Sequence, residues 1–124
     1  MAFAAEVLVT LLGAGLGAVL RYALGCWVNH RLGPEFPWGT LAVNVAGCFT
    51  LGLLEGAAPD DGVLLFVLGK GIIAGFTTFS TLMLETLNLA LSREHERAFF
   101  NVVGSLSLGL AAFLFGTYLG AAAV

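Results

Sequence analysis

Four long apolar stretches, separated by short polar segments, dominate the sequence. They cover approximately residues 7–28, 38–58, 63–91 and 98–123. At a rise of about 1.5 Å per residue, a helix over each stretch is long enough to cross a hydrocarbon core of about 30 Å. The pattern therefore predicts an all-α membrane protein, a single four-helix transmembrane domain over residues 1–124.

Composition supports the membrane assignment. The chain of 124 residues is 59% hydrophobic and only 10% charged, and no soluble domain of this size could bury so much apolar surface. The first stretch is too long, and carries Arg21 too deep, to be a cleavable signal peptide. We expect a multi-pass protein of the plasma or inner membrane, in contact with lipid. The net charge of −3 arises in the turns and a few embedded residues and does not indicate nucleic-acid binding.

The two cysteines and two histidines give no indication of a catalytic or thiolate-metal site. Cys26 and Cys48 lie within predicted spans and are interpreted as small apolar residues. No Cys/His spacing matches a metal site, and no nucleophile lies in a pattern with a base or acid. We therefore expect that the protein is not an enzyme.

Glycines are placed for close helix contact. Gly13 and Gly17 form one small-xxx-small pair, and Gly116 and Gly120 form another. The simplest explanation of these pairs is helix packing. A bundle of four helices also leaves little room for a pathway through one copy, so we expect an oligomer.

Polar side chains inside the spans are the candidate functional groups, because they are costly in lipid and need partners. Thr40 and Asn44 are spaced i, i+4 in the second span, and Asn101 and Ser105 have the same spacing in the fourth. The remaining polar residues considered are Arg21 in the first span and Thr77, Thr78, Ser80, Thr81 and Glu85 in the third. A single hydroxyl is usually bonded to a carbonyl of its own helix. Arg21 and Glu85 could pair with each other or extend to an interface.

The chemistry of this set is that of neutral hydrogen-bond donors with few fixed charges. A cation pathway favours rings of carboxylates, whereas an anion pathway needs N–H and O–H donors. Phe79 lies inside the hydroxyl cluster, and an aromatic ring has a positive edge that can face an anion. The residues alone thus favour a pathway for a small anion.

Three motifs resemble those of the Fluc/CrcB family of fluoride channels, in the order and spacing of that family. They are GAGLGAVLRY at 13–22, PWGTLAVNVAG at 37–47 and GFTTFST at 75–81, and NVVGS at 101–105 matches more loosely. The resemblance implies a fluoride-selective channel that exports fluoride passively and lowers its cytoplasmic concentration. It also implies a homodimer of antiparallel, dual-topology copies, in which the third helix is broken near its middle.

The resemblance further implies a structural sodium ion at that break. By motif alignment, its ligands are the backbone carbonyls of Ala74 and Thr77, with Gly75 at the break. A break frees carbonyl oxygens, and broken helices at the membrane midplane are a known way to hold Na⁺. The family usually has glycine where this chain has Ala74, which makes the turn somewhat harder to form.

The same alignment assigns the fluoride pathway and its entrance. The pathway residues are Asn44, Phe79, Ser105, Thr40, Thr81, Ser80 and Leu82, and Arg21 and Glu85 belong to the vestibule. A vestibule arginine would attract anions. Leu82 is a departure, because the family has a second pore phenylalanine there and leucine has no positive ring edge.

One alternative is a small multidrug-resistance-type exporter, which is also a four-helix, dual-topology dimer. Such a proton-coupled transporter needs a carboxylate deep in its first helix. Here Glu6 lies at the very start of that helix and Arg21 lies deeper, which argues against this alternative.

Charges flanking the spans are unevenly distributed. The connections on one side of the membrane contain Arg31, Arg93 and Arg97. The connection on the other side contains only the acidic residues Asp60 and Asp61. Lys70 lies near the acidic side and weakens the bias. By the positive-inside rule the arginine side would be cytoplasmic, whereas an antiparallel homodimer needs both orientations. A pair of separate chains with fixed, opposite orientations is the other possibility.

Overall fold

The computed structural model describes residues 2–58 and 60–124 and is all-helical over them. The helices are α1 (Phe3–Leu32), α2 (Trp38–Ala57), α3 (62–76), α4 (Ser80–Leu91) and α5 (His95–Ala122). Helices α3 and α4 together form one apolar span, Gly62–Leu91, so the described chain has four spans of membrane-crossing length. The predicted all-α architecture with four spans and an interrupted third helix is confirmed.

The connection between α1 and α2 is fixed at both ends. Gly33 ends α1 with φ +88°, a conformation that suits glycine, and its N–H binds the carbonyl of Asn29 at 2.9 Å. The side chain of Asn29 then accepts the Gly39 N–H at 2.8 Å, which satisfies one of the free donors at the start of α2. Helix α1 therefore extends past the predicted end at residue 28, and its last turn positions α2.

The connection after α4 is also shorter than the sequence predicts. Arg93 adopts φ +60°, and its N–H binds the carbonyl of Ala90 at 3.1 Å. Helix α5 begins at His95, so the turn covers residues 92–94 rather than 92–97. The polar turn predicted before α3 includes Pro59, which lies outside the described residues. Asp61 follows it and accepts the Leu64 N–H at 2.9 Å, capping α3.

The third span changes its helical type before it breaks. It is α-helical over Gly62–Leu64, π-helical over Leu65–Ile73 and α-helical again over Ala74–Phe76. Residues 77–79 are not helical, and α4 starts at Ser80. The predicted break, residues 74–77, overlaps the observed one only at Thr77, because Ala74 and Gly75 still belong to α3. Nothing in the sequence pattern predicted the π-helical stretch.

Glycines bring α2 and α5 into backbone contact. A Cβ on Gly116 or Gly120 would collide with the carbonyl of Phe49 or Leu53, respectively. Gly52 makes the reciprocal contact from α2, against the backbone of Phe113. The predicted pair Gly116 and Gly120 therefore does pack helices together, as small-residue interfaces in membranes do.

The other predicted pair joins α1 to α3. Gly17 lies against the backbone of Ile72 and Phe76, and Gly13 lies against Gly71. Gly75 approaches the backbone of Ala14 equally closely. These contacts hold the last turn of α3, just before the break, against the middle of α1.

Candidate anion pathway at the broken helix

The side chain of Asn44 on α2 bridges the break. Its Oδ1 accepts the N–H of Thr78 and its Nδ2 donates to the carbonyl of Thr78, both at 2.8 Å. In an unbroken helix that N–H would bind the carbonyl of Ala74. Asn44 therefore stabilises the non-helical backbone, and one of the two N–H donors of its amide is left for another acceptor.

Thr78 is the centre of the hydroxyl cluster. Its Oγ1 donates to Oγ1 of Thr81 at 3.0 Å and accepts the Thr81 N–H at 3.2 Å. The hydroxyl of Ser80 lies 3.4 Å from the same oxygen. Because Thr78 bonds Asn44 through its backbone and Thr81 through its side chain, it connects α2 to the start of α4. Thr78 is not among the pathway residues predicted from the sequence, although the two adjacent threonines at 77–78 could have indicated a polar site there.

The two charged residues of the predicted vestibule each bind a different neighbour. Nη1 of Arg21 donates to the carbonyl of Thr77 at 3.3 Å. Oε1 of Glu85 accepts the hydroxyl of Thr40 at 2.8 Å, and its Oε2 is buried without a partner among the described residues. Of the two possibilities considered from the sequence, the Arg21–Glu85 pair is not the arrangement in the structure.

A groove of about 540 Å³ follows the break along α2, α4 and α5. Four predicted pathway residues line it: Asn44, Phe79, Leu82 and Ser105. Thr77, Thr78 and several apolar side chains complete the lining. The ring of Phe79 is 66% exposed, whereas Leu82 is 3% exposed. The structure thus brings these four residues to one groove, although the hydroxyl oxygen of Ser105 is itself buried.

Four of the remaining predicted residues lie beside two smaller cavities, whereas Ser80 lines neither of them. A cavity of about 280 Å³ is lined by Arg21, Thr40, Thr78 and Thr81. A third, of about 410 Å³, is lined by Glu85 together with the α1–α2 connection. Thr78 borders both the groove and the first of these cavities. The predicted polar residues therefore lie on both sides of Thr78.

Hydrogen bonding separates structural hydroxyls from candidate functional ones. The hydroxyls of Thr10, Thr50, Thr77, Thr86 and Thr117 each donate to the carbonyl four residues earlier. Such back-bonded groups are the expected default in apolar helices. The other hydroxyls with described partners bond side chains or backbone in a neighbouring segment, and Ser105 has no partner within residues 2–58 and 60–124. Sequence position alone could not separate these two groups.

Two backbone carbonyls at the break are candidates for binding a hard cation. The N–H groups of Thr78 and Thr81 are directed to side chains, so the carbonyls of Ala74 and Thr77 do not receive their usual helical bonds from them. Arg21 occupies one lone pair of the Thr77 carbonyl, and a carbonyl oxygen has two. No group of three or more His, Cys, Asp or Glu side chains that could bind a metal occurs within 2–58 and 60–124.

Four spans of membrane-crossing length, the third interrupted at residues 77–79, define a multi-pass membrane protein. Residues 8–117 match the family described as CrcB-like protein, Camphor Resistance (CrcB), and the chain belongs to that family. It is 66% identical over 117 residues to fluoride-specific ion channel FluC 1 of Rubrobacter xylanophilus, covering 94% of each chain. It is 46% identical over 122 residues to a fluoride-specific ion channel FluC of Thermus thermophilus, again covering 94% of each. A third relative, FluC 2 of Mycobacterium bovis, is 46% identical over 112 residues, which cover 90% of this chain and 86% of the relative.

Proposed function

We propose that this protein is a fluoride channel that lets fluoride leave the cell passively and so lowers its cytoplasmic concentration. The observation that carries the proposal is the groove, which is lined by Asn44, Phe79, Ser105 and two threonines and by no charged residue. Fluoride is the smallest halide and the strongest hydrogen-bond acceptor among them, so a narrow path of donors favours it. The names of the FluC relatives support the same substrate.

Fluoride flux through the purified protein tests this function directly. Liposomes loaded with potassium fluoride and supplied with a potassium ionophore should release fluoride when the protein is present. Parallel liposomes loaded with chloride should release about as little as protein-free liposomes. Release of neither anion, or of both at equal rates, contradicts the proposal.

The multidrug-exporter alternative has no support in the structure. Its essential carboxylate would have to lie deep in the first span, and Glu6 lies in the first turn of α1. The family match and the FluC relatives also agree with a channel.

For the pathway, we propose that Asn44, Phe79 and Ser105 contact the anion directly. They line one groove, and Asn44 and Ser105 have donor capacity that is not used within the chain. Thr40, Ser80 and Thr81 form a polar track on the other side of Thr78. Arg21 would attract anions to the mouth of that side, because its guanidinium borders the cavity.

The single ring of the groove gives a test by substitution. Phe79→Ile should reduce fluoride flux about tenfold, the rate equivalent of losing about 1.4 kcal/mol of stabilisation by the ring edge. Leu82→Phe adds a second ring to the groove lining, so its folded protein should conduct at least as well as the parent, although the larger side chain at this buried position lowers stability. Phe99→Ile is the matched control, with a ring that is 61% exposed outside the groove. Equal flux in Phe79→Ile and Phe99→Ile would exclude the ring from the pathway.

We propose further that the working unit is an antiparallel homodimer. The ring of Phe79 is largely exposed at the break, and only 6–22% of the residues in the apolar windows of the four spans are buried within one copy. Residues 77–79 lie at the middle of the span Gly62–Leu91, so two inverted copies would have their breaks at the same depth. A second copy there would cover the groove and the ring.

At the contact of the two breaks, we propose a structural sodium ion. Ala74 and Thr77 of each copy would provide four carbonyl oxygens in total, which suits a hard cation. The diverted N–H groups of Thr78 and Thr81 support this assignment. The ion would neutralise the carbonyl dipoles that face each other at the two breaks, and it would not be transported.

An experimental structure determined in sodium tests the dimer and the ion together. We expect two inverted copies and one non-protein density on their two-fold axis, bounded by the carbonyls of Ala74 and Thr77. Protein purified with a large organic cation in place of sodium should lose that density and have a lower melting temperature in detergent. Parallel copies, or a third helix with every carbonyl bonded internally, would contradict the proposal.

A further inference from the structure

Asn29 connects two of the cavities described above, and it is not among the site residues predicted from the sequence. The cavity of about 410 Å³ beside the α1–α2 connection is called the outer cavity, and the cavity of about 280 Å³ beside Arg21 is called the Arg21 cavity. Asn29 is the one described residue that lines both of them. Thr78 likewise is the one described residue that lines both the Arg21 cavity and the groove. The outer cavity, the Arg21 cavity and the groove therefore follow one another from the end of α1 to the break, with Asn29 at the first junction.

The orientation of the Asn29 amide is fixed by helix α2. Its Oδ1 accepts the N–H of Gly39 at 2.8 Å, whereas Pro37, which precedes α2, provides no capping side chain. The oxygen end of the amide is therefore committed to the start of α2. The nitrogen end, Nδ2, has two N–H donors, and neither binds another residue within 2–58 and 60–124. Asn29 is an exposed residue of the bundle, which leaves space for a ligand beside the amide.

An anion at this junction needs such donors. The outer cavity contains the carboxylates of Glu35 and Glu85, which repel an anion. The hydrogen bond from the Thr40 hydroxyl to Glu85 joins the lining of the outer cavity to that of the Arg21 cavity, so the junction lies beside a carboxylate. The guanidinium of Arg21 attracts an anion from further inside, but Arg21 precedes Asn29 by eight residues, or about 12 Å of helix. A donor at the junction itself offsets the repulsion.

We propose that Asn29 is a pathway residue, whose two amide N–H groups bind fluoride as it passes between the outer cavity and the Arg21 cavity. The oxygen of the same amide holds the start of α2, so an anion meets only the nitrogen end. Asn29 thereby favours anions over cations at the entrance. The inference rests on the proposed function as a fluoride channel and extends its pathway to the α1–α2 connection.

Asn29→Asp tests the two ends of the amide separately. A carboxylate still accepts the Gly39 N–H, and a negative charge is favourable at the N-terminus of α2, so the melting temperature should equal or exceed that of the parent. The same change removes both N–H donors and places a charge at the junction, so we expect fluoride release from liposomes to fall about tenfold. A purely structural role of Asn29 predicts instead that this variant conducts like the parent.

Asn88→Asp is the matched control for the added charge. Asn88 lines the outer cavity but not the Arg21 cavity, so the new carboxylate is not at the junction and no donor is lost there. Its loss of flux should be several times smaller than that of Asn29→Asp. Equal losses in the two variants would mean that any negative charge in the outer cavity has this effect, and the inference would be wrong.

The outcomes also separate this inference from the proposed function. If the parent protein releases no fluoride, the proposed function fails and the inference fails with it. If the parent conducts and Asn29→Asp conducts equally well, only the inference fails. Should Asn29→Asp melt below the parent, an experimental structure of the parent determined in fluoride decides. One fluoride or water bonded to Nδ2 of Asn29 at the junction supports the inference, and an amide nitrogen without such a bond overturns it.

Discussion

Asn44→Asp is expected to reduce fluoride flux by about a hundredfold or more. A carboxylate on the groove wall would repel the anion, and two like charges about 4 Å apart interact by about 4 kcal/mol at an effective dielectric constant of 20. The change also replaces the N–H that binds the Thr78 carbonyl by an oxygen, so two acceptors would face each other at the break. The measurement is fluoride release from liposomes, with the variant first checked for monodispersity in detergent.

Two further variants separate the charge from the bridging role of Asn44. Asn88→Asp makes the same change outside the groove, in the cavity that Glu85 lines, and should reduce flux much less than Asn44→Asp because the charge is farther from the groove. Asn44→Ala removes the bridge to Thr78 without adding a charge. If it loses as much flux as Asn44→Asp, the bridge accounts for the effect and not the repulsion. Parent-like flux in Asn44→Asp would remove Asn44 from the pathway altogether.

Gly17→Ala is expected to destabilise the fold by roughly 3 kcal/mol or more, at the upper end of overpacking effects. A Cβ at this position would collide with the carbonyl of Ile72 and lie 2.7 Å from the backbone nitrogen of Phe76. Backbone atoms cannot rotate away as the end of a side chain can, so α1 and α3 would have to separate. The break begins directly after Phe76, so we expect both a lower melting temperature and a lower fluoride flux.

Gly15→Ala provides the matched control for this prediction. It lies two residues away on the same helix, and a Cβ there has no heavy atom within 4 Å. Alanine is the better helix former by about 1 kcal/mol, so this variant should be at least as stable as the parent. The two melting temperatures are compared in the same detergent. Equal values for the two variants would mean that the close approach of α1 and α3 does not limit stability.

The number and nature of the spans could be predicted because lipid imposes them. A segment of about 20 apolar residues has few alternatives to a membrane-crossing helix, in which every backbone group is bonded internally. The exact helix ends are harder to predict from the sequence. Helix α1 continues to Leu32 and α5 starts at His95, because Asn29 and Arg93 make local bonds that apolar periodicity does not encode.

The π-helical stretch Leu65–Ile73 shows where periodicity stops being informative. Almost every position there is apolar or glycine, so the pattern does not distinguish bonds to the fourth residue from bonds to the fifth. The break after it was signalled by its hydroxyls and by the motif. Its position at residues 77–79 depends on Asn44, which is 34 residues away in sequence from the backbone that it binds.

The residues alone require that this chain crosses the membrane four times, with neutral donors collected in the second, third and fourth spans. Both conclusions follow because a segment in lipid must bond its backbone groups internally and its polar side chains need partners. How those donors are used depends on the packing of the helices. Thr86 and Thr117 are bonded to their own helices, Thr78 joins α2 to α4, and Ser105 keeps its hydroxyl free. The physical reason is that a hydroxyl can bond to whichever acceptor is closest, and in this bundle the closest acceptor depends on glycine contacts that set the distances between helices.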